Sequence, residues 1–94
     1  MEKIIWSRVA TNDLSQIWLF YAHKNLKAAE RIVEEIIALA EKLKYPEQYQ
    51  EDEILGKPYR RMIHKHFKIV YLKFNHQILI TNIFDTRQNP AKLK

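Results

Sequence analysis

The sequence predicts an α+β domain in which a two-helix hairpin packs on one face of a mostly antiparallel sheet, in the order β-α-α-β-β-β. The observations behind this prediction are a short apolar strand near the N-terminus, two segments with the 3.6-residue apolar period of helices, and a C-terminal stretch of β-branched and aromatic residues with hairpin spacing. Ninety-four residues suffice for one hydrophobic core, so we expect a single domain over residues 1–94.

The first three elements follow one another closely. Lys3 to Trp6 predicts a short strand, and Ser7 directly after it offers a hydroxyl that can cap a helix. Apolar residues spaced i, i+3, i+4, i+7 then predict a helix from Arg8 to about His23. Leu26 to Leu43 repeats the pattern after Asn25, a second capping residue, and its other face is charged. The two helices are therefore expected to form a hairpin.

Two C-terminal strands, Phe67 to Phe74 and Gln77 to Phe84, are separated only by Asn75-His76, which predicts a tight antiparallel hairpin. Such a turn places Tyr71 opposite Ile80. With strict alternation, one face carries Phe67, Ile69, Tyr71, Ile78, Ile80 and Phe84, and the other carries Lys68, Val70, Leu72, Leu79 and Ile83. Because the helices cover one face of the sheet, we expect the opposite face to stay open to a partner.

A polar connector from Tyr45 to Lys57 precedes a further strand from Tyr59 to about His64. Its register against the next strand is left open, because the intervening loop can hold two or three residues. A slip by one residue would exchange Arg60 and Arg61 between the two faces of the sheet.

Charge and composition narrow the classes of function. The net charge is +5, and the cations are concentrated in the C-terminal half. This pattern fits an anionic partner, such as nucleic acid or an acidic protein segment, and it fits a solvated basic surface equally well. Charge alone does not distinguish the two. The absence of cysteine excludes disulfides and thiol catalysis, and a single glycine excludes a glycine-rich phosphate loop. His64 and His66 lack evident further ligands, so we expect neither a metal site nor a cofactor.

The apolar run Ile4 to Trp6 is too short for a signal peptide or a membrane span. We therefore expect a cytoplasmic protein with no membrane partner.

Several local strings, in this order and spacing, resemble the RelE/ParE superfamily of toxins from bacterial type II toxin–antitoxin modules. The strings are Trp6-Ser7 with Ala10, Asp13-Leu14, Ile17 and Tyr21, then GKPYR at 56–60, FKIVY at 67–71 and IFDTRQNP at 83–90. The resemblance spans nearly the whole chain and implies a RelE-like fold. It also implies a cognate antitoxin, whose disordered segment folds on binding. We expect that segment to contact the apolar sheet residues Phe67, Ile69, Tyr71 and Phe84.

The resemblance implies one of two activities. RelE-like toxins cleave messenger RNA on the ribosome, whereas ParE-like toxins act on DNA gyrase. At the positions where the cleaving branch carries its cations, this chain has Arg60, Met62, Lys68 and Arg87, and the tail after Arg87 contains no tyrosine or histidine. In-line attack by a 2′-hydroxyl needs a proton acceptor and cations, and Met62 and that tail supply neither.

The resemblance is therefore closer to the ParE-like, plasmid-stabilisation branch, whose members arrest growth as gyrase inhibitors. Candidate target-binding residues are Arg60, Arg61, Lys68 and Arg87. If the chain is an enzyme, the candidate catalytic residues of an mRNA endoribonuclease are Arg60, Lys68 and Arg87. An inactive homologue that still binds an antitoxin is a third alternative.

Overall fold

The computed structural model describes residues 3–43, 45, 47 and 49–87, and its elements follow the predicted order. They are β1 (Lys3–Trp6), α1 (Arg8–Ala22), α2 (Leu26–Glu41), β2 (Arg60–His64), β3 (Phe67–Phe74) and β4 (Gln77–Asp85). The strands form one sheet in the order β1-β4-β3-β2, in which β1 runs parallel to β4 and the other pairs are antiparallel. The predicted α+β fold is confirmed. No helix among the described residues combines the length and hydropathy needed to cross a bilayer.

Both predicted helix caps are present. The Ser7 hydroxyl accepts the backbone N–H of Ala10 at 3.0 Å, and the Asn25 side chain accepts that of Ala28 at 3.0 Å. Each cap satisfies one of the amide groups that the first helical turn leaves without a partner. The second helix ends at Glu41, slightly earlier than predicted, although Leu43 beyond it is still buried.

The core lies between the helix hairpin and one face of the sheet. The helices contribute small and aliphatic side chains to it, including Ala10, Leu14, Ile17, Ile36 and Ala40. The sheet contributes Met62, Phe67, Ile69, Tyr71, Ile78, Ile80 and Ile83. This burial of apolar surface is the main term that holds the helices against the sheet.

A β-bulge in β4 changes which residues face the core. Tyr71 lies opposite Ile80, as predicted, but Val70 lies opposite Asn82, so that Thr81 is an additional residue in β4. Beyond the bulge the alternation is reversed. Ile83 therefore enters the core and Phe84 lies on the other face. The predicted faces of these last two residues are wrong, because strict alternation does not allow for the inserted residue.

Contacts from α1 hold this bulge. The Ser7 hydroxyl donates to the Thr81 carbonyl at 3.0 Å, and the Asp13 carboxylate accepts the backbone N–H of Ile83 at 2.9 Å. The Thr81 hydroxyl donates to the Val70 carbonyl at 3.3 Å. The polar groups that the interrupted ladder exposes are thus partly satisfied by side chains.

The register of β2 is settled by its pairing with β3. Arg60 lies opposite Tyr71, Arg61 opposite Val70 and Met62 opposite Ile69. Arg61 therefore shares a face with Lys68, whereas Arg60 is on the face that the helices cover.

The connector between α2 and β2 folds back along β2. The Arg61 N–H donates to the Gln50 carbonyl at 3.0 Å, and the Asp52 N–H donates to the Tyr59 carbonyl at 2.8 Å. Asp52 then reaches Lys68 on the sheet face away from the helices, where Lys68 and Val70 are 3% and 0% exposed. The expectation that this face stays open is wrong here, because the protein's own connector reaches it.

Candidate functional site

The four cations predicted as target-binding residues do not converge on one site. Arg60 lies opposite Tyr71, towards the end of β3. Arg87 follows Asp85, which lies opposite Phe67 at the start of β3. Arg60 and Asp85 are thus separated by about four residues along the strand direction, or roughly 13 Å, and Arg87 follows two residues beyond Asp85. The structure places the two arginines at different ends of the sheet.

Lys68 is engaged in a buried ion pair. Its ammonium nitrogen is 2.7 Å from the Asp52 carboxylate, and it also lies 5.4 Å from the centre of the Phe84 ring. The Asp52 carboxylate further accepts the backbone N–H groups of Ile54 and Leu55. Burial raises the pKa of Asp52, but the hydrogen bonds from Lys68 and Leu55, with the charge of Lys68, outweigh it and lower that pKa. Lys68 is therefore not an accessible cation.

Arg60 and Arg61 are both bonded to the connector. The Arg60 guanidinium donates to the Tyr49 carbonyl at 2.6 Å, and the Arg61 guanidinium pairs with Glu53. Beside them lies an open cleft of about 590 Å³, lined by Glu47, Tyr49, Gln50, Arg60, Arg61 and Ile63. The acidic side chains Glu47 and Glu53 offset the positive charge here, so the cleft is weakly suited to a polyanion.

At the other end of the sheet, a polar cluster joins α1 to the strands. The Tyr21 hydroxyl donates to the Asp85 carboxylate at 2.8 Å and lies 2.9 Å from Nε2 of His66. Because the phenol has a single proton, which Asp85 accepts, His66 must donate its Nε2 proton to the Tyr21 oxygen. The other carboxylate oxygen of Asp85 accepts the backbone N–H of Arg87 at 3.1 Å. This chain of contacts fixes the backbone of Arg87.

Burial and the hydrogen bond to Asp85 raise the pKa of Tyr21 to about 12. The phenol therefore stays protonated at neutral pH and acts as a hydrogen-bond donor. Sequence patterns do not predict this cluster. Tyr21 and His66 are 45 residues apart in sequence, and no spacing rule connects them.

The residues predicted to contact an antitoxin do not form one accessible surface. Phe67, Ile69 and Tyr71 are 1%, 0% and 0% exposed and belong to the core beneath the helices. Phe84 is half-buried on the opposite face. The expected accessibility of the first three is wrong, because the helix hairpin covers the face on which they lie.

An apolar groove on the outer side of the helix hairpin is exposed instead. It has a volume of about 440 Å³ and is lined by Thr11, Leu14, Ser15, Trp18, Leu19 and Val33. Leu19 is 49% exposed. Large exposed aliphatic side chains beside a groove are typical of protein-binding surfaces.

His64, the last residue of β2, and His66, in the turn that follows it, make separate contacts. His64 lies 3.0 Å from the Glu35 carboxylate, which also accepts Lys65 at 3.1 Å, while His66 belongs to the Tyr21 cluster. Within residues 3–43, 45, 47 and 49–87, no three His, Asp or Glu side chains are grouped as ligands for a metal ion.

Comparison with known proteins agrees with this fold. The chain resembles the chromosomal ParDE toxin–antitoxin system from P. aeruginosa with a TM-score of 0.81 and 20% identity, covering 90% of this chain and 96% of that one. A conserved hypothetical protein, HP0894 from Helicobacter pylori, matches with a TM-score of 0.60 and 18% identity, covering 88% and 92%. The E. coli DinJ–YafQ complex matches with a TM-score of 0.50 and 12% identity, covering 94% and 97%.

At these identities the structural matches show the fold alone. No curated protein sequence matches this chain significantly. The sequence profile described as "ParE toxin of type II toxin-antitoxin system, parDE" matches residues 4–90, which is nearly the whole chain. With the strand–helix–helix–sheet architecture already described, this match identifies the chain as a member of the ParE toxin family of type II toxin–antitoxin systems.

Proposed function

We propose that this toxin arrests bacterial growth by inhibiting DNA gyrase and is neutralised by a cognate antitoxin. The observation that carries the proposal is the buried Lys68–Asp52 ion pair, because it removes from the sheet surface a cation that RNA cleavage would require. Membership of the ParE family supports the same assignment.

The side chains of the sheet do not meet the chemical needs of RNA cleavage. Cleavage through a 2′-hydroxyl needs a proton acceptor and cations that converge on one phosphate. Met62 is only 1% exposed and part of the core, Lys68 is paired with Asp52, and Arg60 is bonded to the connector. Residues on the sheet are thus poorly arranged for this reaction.

Two of the structures that share this fold are described as ParDE and DinJ–YafQ toxin–antitoxin pairs, which supports an antitoxin partner for this chain. The groove at Trp18, Leu19 and Val33 fits an amphipathic helix that inserts apolar side chains every three or four residues. The net charge of +5 favours an acidic antitoxin segment. Such a segment would order as it binds.

The experiment is to express the chain alone in bacteria and to assay purified gyrase with it. We expect growth arrest with a DNA-damage response, and loss of supercoiling activity in vitro. Immediate loss of protein synthesis without DNA breaks would contradict the proposal.

The alternative is a ribosome-dependent mRNA endoribonuclease. One observation favours it: Arg87, a candidate catalytic cation, has its backbone fixed by a hydrogen-bonded cluster that contains a histidine, His66. Mapping transcript ends in a translating extract, with Arg87→Ala as the comparison, tests this alternative. Intact transcripts at a growth-arresting dose would exclude it. Tight antitoxin binding without toxicity would instead indicate an inactive homologue.

A further inference from the structure

A small pocket opens beside the Tyr21 cluster, at the end of the sheet distant from the connector. Its volume is about 210 Å³, and it is lined by Phe20, Tyr21, Lys24 and Arg87. Two of these four side chains are cations from separate parts of the chain, the turn after α1 and the segment after β4. The pocket therefore has a positive character that the Arg60–Arg61 cleft, with its acidic neighbours, does not have.

The walls of this pocket are fixed by the cluster behind it. The Tyr21 ring lines the pocket, while its hydroxyl is bonded to both His66 and Asp85. Asp85 is 9% exposed, does not line the pocket, and accepts the backbone N–H of Arg87. One buried carboxylate thus anchors an aromatic wall and positions the arginine backbone, which lowers the entropy lost when a ligand binds.

The aromatic wall offers a second kind of contact. Phe20 is 40% exposed, and its ring packs edge-on against Tyr21 with 5.0 Å between the ring centres. The Lys24 ammonium lies 4.9 Å from the centre of the Phe20 ring. A half-exposed aromatic ring beside a cation can stack on a nucleobase while the cation contacts the adjoining phosphate.

We propose that this pocket binds the phosphate group of a nucleotide or nucleic acid strand, with Arg87 and Lys24 contacting the phosphate and Phe20 contacting the base. The guanidinium of Arg87 suits paired contacts to phosphate oxygens, and Lys24 adds a point charge. At about 210 Å³ the pocket is smaller than the roughly 300–1,000 Å³ of typical ligand sites, so it encloses only one end of such a ligand. The inference does not depend on gyrase being the target.

The test is amide chemical-shift titration of the full chain with inorganic phosphate, adenosine 5′-monophosphate, and short single-stranded oligonucleotides with and without a 5′-phosphate. We expect saturable shifts at Phe20, Tyr21, Lys24 and Arg87. Arg87→Ala should weaken binding about tenfold or more, because it removes a charge-assisted contact. Arg8→Ala is the matched control, since it deletes the same charge from an exposed position at the other end of α1.

The probes separate the sources of phosphate. Preference for the 5′-phosphorylated oligonucleotide assigns the pocket to a terminal phosphate, and equal binding of both oligonucleotides assigns it to the backbone. Phe20→Leu should reduce nucleotide affinity towards that of inorganic phosphate. If nucleotide affinity is unchanged in Phe20→Leu, the proposed contact between Phe20 and the base does not exist. Absence of saturable shifts, or an equal effect of Arg87→Ala and Arg8→Ala, would overturn the site altogether.

Discussion

The ion pair between Lys68 and Asp52 ties the connector to the sheet with two buried charges. Neither residue is more than 3% exposed, so removing one partner leaves the other charged and without its counterion in the interior. Such a loss is far more costly than the pair's own contribution. At the scale of the single residue, this contact explains why a basic strand does not present all its cations to solvent.

Lys68→Met should destabilise the protein by about 3–5 kcal/mol, because Asp52 would remain buried and unpaired. Arg61→Met breaks the partly exposed pair with Glu53 and a hydrogen bond to the Gln50 side chain, and it should cost about 0–1 kcal/mol. Urea unfolding followed by circular dichroism measures both values. Equal losses in the two variants would contradict a special role for the buried pair.

Tyr21 should make the protein sensitive to alkaline conditions. Its folded-state pKa, about 12, exceeds the ordinary value near 10. The protonated phenol therefore contributes its full share to the free energy of unfolding below pH 10, and this share is lost as the pH rises through 12. The free energy of unfolding should fall by roughly 2–3 kcal/mol from this group. Tyr71, whose pKa burial also raises to about 12, adds to the decline in the wild type.

Tyr21→Phe should remove the Tyr21 share of this alkaline loss, while costing about 1–3 kcal/mol at neutral pH because Asp85 loses a hydrogen-bond donor. Tyr45→Phe, at a position 68% exposed, serves as the control. Urea unfolding across pH 7 to 12 provides the measurement. An alkaline decline in Tyr21→Phe as steep as in the wild type would show that the phenol is not the titrating group.

At the scale of the element, local sequence signals located the helices and the β3–β4 hairpin well. Ser7 and Asn25 predicted both helix starts, and the short turn at 75–76 predicted the register of Tyr71 with Ile80. The bulge at Thr81 was not predicted, because its supporting contacts come from Ser7 and Asp13 in a distant helix. Those contacts form only after α1 has packed on the sheet.

The two caps should differ in their contribution to stability. The Ser7 side chain both accepts an amide of α1 and donates to the Thr81 carbonyl in β4, whereas the exposed Asn25 side chain accepts the backbone N–H of Ala28 within its own helix. Ser7→Ala should therefore cost about 1–2 kcal/mol and Asn25→Ala about 0.5–1 kcal/mol. Thermal unfolding of both variants measures the difference. A larger loss for Asn25→Ala would mean that the bond between α1 and the bulge contributes little.

At the scale of the whole molecule, the helix hairpin covers one sheet face and the connector reaches the other at Lys68. This arrangement leaves the outer side of the helices as an accessible apolar surface, with Leu19 49% exposed. The proposed antitoxin contact therefore moves from the sheet to the helix groove. Burial, rather than residue type, decides which apolar residues are accessible to a partner.

Leu19→Glu should retain toxicity but resist neutralisation, because a charge in the groove opposes insertion of an apolar side chain. The measurement is growth of cells that co-express the variant with its cognate antitoxin. Ile54→Glu, a substitution at a position 46% exposed on the connector, should still be neutralised. Neutralisation of both variants would remove the groove from the antitoxin interface.

The sequence by itself determined the order of strands and helices, their caps, the tight hairpin and the basic character of the C-terminal half, because these depend on periodicity and on contacts between near neighbours. Tertiary structure alone decided which residues are accessible. Asp52 meets Lys68 only when the connector folds over the sheet, and Tyr21 meets His66 and Asp85 only when α1 packs against it. Contacts between residues far apart in sequence require the complete fold, and they determine which charges remain exposed for a partner.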